Sequence, residues 1–104
     1  MLNKTIGVIG CGNMGEALVK RIAASVKRGR LIVYDADSTK TSAMRRYKAV
    51  IAKDNVTLAK QCDVIILAVK PKDVEGLLGL SFLRYFNYEV RSVEGIIRLQ
   101  PATA

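Results

Sequence analysis

A small α/β domain on a doubly wound parallel sheet is predicted by three features of this sequence. Short apolar runs are bounded by turn residues, a helical apolar period separates the first two runs, and a cluster of glycines stands at the first junction. The length of 104 residues allows a single domain of this kind, since a domain usually takes about 100 to 200 residues.

Taken in order, Thr5 to Ile9 is an apolar run that meets three glycines, which reads as a buried strand ending in a tight turn. Beyond it Met14, Ala17, Leu18, Ile22, Ala23 and Val26 recur at helical spacing, with Lys20, Arg21 and Lys27 on other faces. An amphipathic helix is therefore expected over about 13–27, with Gly29 as its stop. Leu31 to Tyr34 is aliphatic, β-branched or aromatic and ends at Asp35, the pattern of a second buried strand followed by a polar turn. Strand, helix and strand in about 30 residues make a crossover, which requires parallel strands.

Ser38 is placed as the N-cap of a basic helix over about 39–47, followed by a short third strand within 49–52 and a short helix over 56–61. Residues 63–69 (DVIILAV) give the clearest strand, apolar throughout, as suits the middle of a parallel sheet covered on both faces. Pro71 stops it, and a further helix is expected from Asp73. After Leu80 aromatics, charges and β-branched residues mix without a sustained period. That stretch supplies one further strand and helix, or a poorly packed tail. The organisation expected is a dinucleotide-binding unit over 1–80 and an unassigned segment over 81–104.

Composition removes several function classes. There is no His, which excludes a His-based triad, a His general base and any His metal site. Cys11 and Cys62 are too far apart in sequence to form a CxxC pair. Unpaired cysteines suit a reducing compartment. The longest apolar run, Val64 to Val69, is far below the roughly 20 residues that span a bilayer, and the N-terminus lacks a secretory pattern. A cytoplasmic protein with no membrane partner is expected. The formal net charge is +8, with the excess concentrated between Lys20 and Lys48. No recognised nucleic-acid motif accompanies that charge, so a solvated basic face or the steering of an anionic cofactor explains it better than nucleic acid does.

Gly10, Cys11, Gly12, Asn13, Met14 and Gly15 spell G-x-G-x-x-G. Gly10 permits the tight turn out of the strand, a side chain at Gly12 would obstruct a pyrophosphate, and Gly15 lets the helix pack closely on the sheet. The amides that meet the phosphate lie at a helix N-terminus, where a partial charge of roughly half a unit favours an anion. Tyr34 and Asp35 end the second strand, and Asp35 stands 20 residues beyond Gly15, where an acidic residue accepts a hydrogen bond from a ribose 2′-hydroxyl. Dinucleotide binding in a Rossmann-like domain follows from the motif and its context together. A glycine turn of purely structural purpose is the alternative.

The stretches IGVIGCGNMGEAL and CDVIILAVKPKDV, within about residues 4–78, closely resemble the N-terminal domain of the pyrroline-5-carboxylate reductase family. The resemblance implies an enzyme that reduces a cyclic imine to proline. It implies that the backbone at Gly12, Asn13 and Met14 holds the pyrophosphate, and that Ala68, Val69, Lys70 and Pro71 line the nicotinamide side. It also matches Asn55 to a cofactor-contacting asparagine. From the residues alone, Lys70 either faces the cofactor or is a solvated lysine after a buried strand. A thiol at Cys11 can be acidified beside a helix N-terminus, but without a His base a small spacer is the favoured role.

On the choice of cofactor the residues and the resemblance pull apart. Asp35 argues for NAD, because a carboxylate attracts the 2′-hydroxyl and repels a 2′-phosphate. Family habit, with Ser38, Lys40, Arg45 and Arg46 nearby in sequence as a compensating anion site, tips the expectation toward NADP. Members of that family also carry a helical C-terminal domain that dimerises and completes the imine pocket. After Leu80 this sequence departs from their pattern, so a truncated domain is expected, with a second domain or a homo-oligomer partner supplied from elsewhere. No catalytic residue is assigned within the chain. A stand-alone dinucleotide-binding module without catalysis of its own is the alternative.

Overall fold

The computed structural model describes residues 4–68 and two strands, 88–93 and 96–101. Strand β1 (Ile6–Ile9) lies between β2 (Leu31–Tyr34) and β4 (Val64–Leu67), parallel to both, and β3 (Val50–Ile51) is parallel to β2. The connections are α1 (Asn13–Ala23) between β1 and β2, α2 (Ser38–Ala43) with a 3-10 turn (Met44–Tyr47) between β2 and β3, and α3 (Asn55–Gln61) between β3 and β4. The parallel order β3-β2-β1-β4 reverses direction at the β1/β4 boundary. In open α/β sheets a crevice forms there, beyond the carboxyl ends of the strands.

Helices cover both faces because the strands are apolar on both. Val8, Leu31 and Val33 form one core cluster with Val19 and Val26 from the first crossover and Met44 from the 3-10 turn. On the other face α3 packs so closely that a β-carbon at Gly7 would lie 2.5 Å from Leu58 Cδ2 and 2.8 Å from Cys62 Sγ. Val8, Ile9, Val19, Val33, Leu58, Ile65 and Leu67 are fully buried, each contributing about 1.5–3 kcal/mol relative to an exposed side chain.

Local structure departs from the sequence expectations in four places. The first helix ends at Ala23 instead of continuing to Lys27, and the Ala24 N–H turns back to the Arg21 and Ile22 carbonyls. The chain then reaches Gly29 at φ +88°. The cap of α2 is Asp37, not Ser38: its carboxylate accepts from the Thr39 N–H at 3.0 Å and from Thr39 Oγ1 at 2.6 Å, and these bonds hold its pKa below the ordinary carboxylate value. The basic helix expected over 39–47 is split into α2 and the tighter 3-10 turn, closed by Lys48 in the left-handed region at φ 61°.

The fourth departure is at the far edge. The segment 81–104 contributes a hairpin, β5 (Tyr88–Val93) and β6 (Ile96–Pro101), with β6 antiparallel to β4. Among the described residues it supplies two strands and no helix. Apolar and polar positions alternate in its register, Val90 pairing with Leu99 and Ser92 with Ile97, while Glu89 pairs with Gln100 and Arg91 with Arg98. The sheet is thus mixed, with an antiparallel pair continuing the four parallel strands. No helix among the described residues is long and apolar enough to cross a membrane.

Candidate functional site

The glycine turn joins β1 to α1 at the reversal point of the sheet. Gly10 sits at φ 102°, a conformation that side-chain-bearing residues rarely adopt, and its N–H donates to the Tyr34 carbonyl at 2.9 Å. Gly12 is the N-cap of α1, and its carbonyl accepts the first helical bond from Glu16 N at 2.8 Å. Among the described residues no side chain caps this helix end, and the leading N–H groups at Asn13, Met14 and Gly15 are the donors that a helix leaves without intrahelical partners. Asn13 and Met14 are exposed.

The three glycines of the motif have different surroundings. A β-carbon built on Gly12 meets nothing among the described residues within 4 Å, whereas one on Gly15 would overlap the Gly10 carbonyl oxygen and come within 3.6 Å of the Ala68 β-carbon. Among the described residues the space over Gly12 is therefore open, and the contact at Gly15 is closed. An open cradle bordered by uncapped N–H groups fits a pyrophosphate.

Three further expected residues converge on this turn. The Asp35 carboxylate, half-buried after β2, accepts from the Cys11 N–H at 2.7 Å through one oxygen and from the Asp37 N–H at 2.8 Å through the other. Ala68, just after β4, donates its N–H to the Ile9 carbonyl at 2.8 Å and so lies against the base of the turn. Tyr34 takes part through its carbonyl, which accepts from Gly10 N and, at 3.8 Å, from Cys11 Sγ. Asn55 is the first residue of α3, at the carboxyl edge of the sheet beyond β3 and behind the Asp54 cap. Val69, Lys70 and Pro71 lie outside the described residues.

Cys11 is buried at 4% exposure, and burial, reinforced by the Asp35 carboxylate, pushes its thiol up to about 12. Cys62 is pushed up to about 12 in the same way by burial and Asp63. The acidified thiol that a helix N-terminus can produce is thus absent, because the Cys11 side chain points into the core beneath the turn. Both thiols are expected to resist iodoacetamide at pH 8 in the folded chain and to react together after denaturant is added. Rapid labelling of Cys11 in the folded chain would contradict this packing.

What the sequence did not reveal is the bond from Asp35 to the glycine turn, since nothing in a spacing of 24 residues marks it. Also unforeseen is Tyr47, whose hydroxyl donates to Glu16 Oε2 at 3.2 Å and ties the 3-10 turn to the first turn of α1. At the opposite, amino edge of the sheet, a cleft of about 100 Å³ lies among Ala23, Val26, Leu31 and Tyr47, with Lys27, Arg28 and Lys48 at its rim. Among the described residues no group of His, Cys, Asp or Glu could hold a metal ion.

Comparison with known proteins agrees with this geometry. Residues 5–85 match the family described as NADP oxidoreductase coenzyme F420-dependent. The pyrroline-5-carboxylate reductase of Aquifex aeolicus is 32% identical over 78 residues, covering 75% of this chain and 29% of that protein. The enzyme of the same name from Escherichia coli is 37% identical over 73 residues, covering 67% and 27%. Among solved structures, a pyrroline-5-carboxylate reductase from Coxiella burnetii superposes with a TM-score of 0.66 at 26% identity over 74% of this chain and 29% of its own. An imine reductase from Myxococcus stipitatus in complex with NADP+ superposes with a TM-score of 0.68 at 25% identity, over 79% and 28%. A variant of that enzyme in complex with NAD+ shares the fold, with a TM-score of 0.71 at 23% identity, over 82% and 29%. The chain spans less than a third of the length of the curated relatives it matches. The chain belongs to the NADP oxidoreductase coenzyme F420-dependent family, as an N-terminal NAD(P)-binding Rossmann-like domain.

Proposed function

We propose that this chain is the dinucleotide-binding half of an imine-reducing oxidoreductase, with 1-pyrroline-5-carboxylate as the substrate reduced to proline in proline biosynthesis. The observation that carries the reading is the open space over Gly12 beside the uncapped start of α1. The pyrophosphate would lie there against the Gly12, Asn13 and Met14 backbone, the adenosine ribose would reach Asp35, and Ala68, Val69, Lys70 and Pro71 would border the nicotinamide. Asn55 would touch the cofactor from α3. When bound, the nicotinamide supplies the hydride. The chain's own part is to bind and orient it, because transfer needs donor and acceptor within roughly 3–3.5 Å. The imine pocket would come from a second domain or from a homo-oligomer partner, and the whole would work in the cytoplasm. In this reading residues 1–80 form the cofactor unit, and the strands Tyr88–Val93 and Ile96–Pro101 extend its sheet.

Between the two dinucleotides we favour NAD(H), against the lean toward NADP that the family resemblance carries. Asp35 directly follows β2, where the adenosine ribose would lie, and its carboxylate would repel a 2′-phosphate. Of the basic residues offered as a compensating anion site, Arg46 donates Nε to the Ala43 carbonyl at 3.1 Å and holds its guanidinium 5.7 Å from the Tyr47 ring centre.

Calorimetric titration of the chain with NADH and NADPH tests the reading, as the sequence has no Trp to report binding by fluorescence. Saturable heat with both and tighter binding of NADH is expected. In Asp35→Ser the ratio of the two affinities is expected to move toward NADPH by about tenfold, close to 1.4 kcal/mol. Absence of saturable heat with either nucleotide would remove the cofactor role. An unchanged ratio in the variant would remove Asp35 from the ribose corner.

A further inference from the structure

We infer that Asp35 is the positioning residue of the anion-binding turn, so that one carboxylate couples the ribose corner to the pyrophosphate site. This inference rests on the dinucleotide reading and assigns Asp35 a second duty, independent of the ribose hydroxyls. The turn leaves β1 through Gly10 and enters α1 through Gly12, two residues without side chains to restrict the backbone. Between them stands Cys11, whose N–H is held by Asp35 Oδ2 at 2.7 Å, a short bond to a carboxylate. Oδ1 is fixed in turn by the Asp37 N–H at 2.8 Å, so the carboxylate is anchored at both oxygens and does not rotate freely. Gly10 is tied to the same strand end through the Tyr34 carbonyl.

Consecutive backbone N–H groups at Gly10 and Cys11 are thus bound to residues 34 and 35, which sets the direction in which the next groups, at Gly12, Asn13 and Met14, are presented. Each carboxylate oxygen keeps acceptor capacity beyond its single N–H bond, so the same group can still receive a ribose hydroxyl. Loss of the charge would loosen the turn and weaken any ligand that carries a diphosphate, whether or not it carries a ribose hydroxyl.

Asp35→Asn is the decisive variant, because it preserves size but can set an amide NH2 against a backbone N–H. Two readouts are taken on the full chain: hydrogen exchange at the Cys11 amide without ligand, and affinity for NADH and for 2′,3′-dideoxyadenosine diphosphate. The second ligand has the diphosphate and no ribose hydroxyl to bond Asp35. Exchange at Cys11 is expected to accelerate by about tenfold, and both affinities to fall by a similar factor, the loss typical of a hydrogen bond to a charged group. Exchange at Val8 and Val33 should stay at the wild-type rate, showing that the sheet is intact. Asp37→Ala removes the α2 cap but retains its backbone N–H, and is expected to leave Cys11 exchange unchanged.

Unaltered Cys11 exchange in Asp35→Asn would overturn the inference. So would an unaltered affinity for the dideoxy diphosphate alongside weakened NADH, which would confine Asp35 to reading the ribose. A wild-type chain that binds neither ligand would overturn the dinucleotide reading and this inference with it, and the ligand-free exchange measurement distinguishes that failure from loss of the Asp35 contact alone.

Discussion

Gly12→Val is expected to lose at least about 100-fold in dinucleotide affinity, ~2.8 kcal/mol, in a chain that still folds. The backbone at Gly12 is at φ −72° and ψ −162°, an extended geometry open to valine, and its β-carbon would meet no atom of the described residues within 4 Å. The fold therefore has no steric reason to object, although valine is a poor N-cap and costs about 1 kcal/mol on that account. The branched side chain would instead fill the cradle over the first turn of α1, where the proposed pyrophosphate approaches the backbone. Thermal unfolding monitored by circular dichroism, paired with calorimetric titration, separates the two effects. Wild-type affinity in folded Gly12→Val would place the phosphate elsewhere.

Gly15→Ala, only three residues along, is expected to act on the fold. Its β-carbon would overlap the Gly10 carbonyl oxygen, a backbone atom that cannot swing aside as a side-chain tip can. Either α1 moves off the sheet or the turn at Gly10 is rebuilt. Overpacking of this kind costs typically 1–3 kcal/mol, and a clash with backbone belongs at the upper end. For a domain of this size ~3 kcal/mol lowers the melting temperature by about 12–24 °C. A melting temperature within 2 °C of wild type would show that the helix has slack against the sheet that the packing around Gly10 and Ala68 denies.

The contrast between these glycines shows how much of the site was legible in the sequence. The motif spacing implied an obstructing position at Gly12 and a packing position at Gly15, and the geometry gives each a separate physical basis. The apolar runs at Ile6–Ile9, Leu31–Tyr34 and Val64–Leu67 announced the parallel core because both faces of those strands are covered. Helix ends were less legible. Ser38 and Asp37 are both good caps by type, and only the bond from Thr39 N to the Asp37 carboxylate decides between them. The apolar period that carried the first helix to Val26 was real, yet Val26 joins the core from beyond the helix end.

The C-terminal hairpin was illegible for a different reason. The sequence between its two strands reads Glu-Gly, not Asn-Gly or Asp-Gly, and alternation in YEVRSV is blurred by Ser92, which pairs with Ile97 in the register. The pairing with β4 is a long-range contact that no local pattern announces. The Asp35 to Cys11 bond belongs to the same class. Strand-end position marked Asp35 as a ribose ligand, but its hold on the turn depends on β1 and β2 lying side by side in register, with Ile9 opposite Tyr34.

The most direct test of the dinucleotide site is residue-resolved: a nitrogen-proton correlation spectrum of the labelled chain, followed through a titration with NADH. Saturable shifts are expected at the amides of Cys11, Gly12, Asn13 and Met14, with smaller ones at Asp35 and Ala68, while Arg28 and Lys48 at the amino edge stay unmoved. Saturable shifts centred instead on the basic cleft at Lys27, Arg28 and Lys48, with the glycine turn silent, would contradict the account.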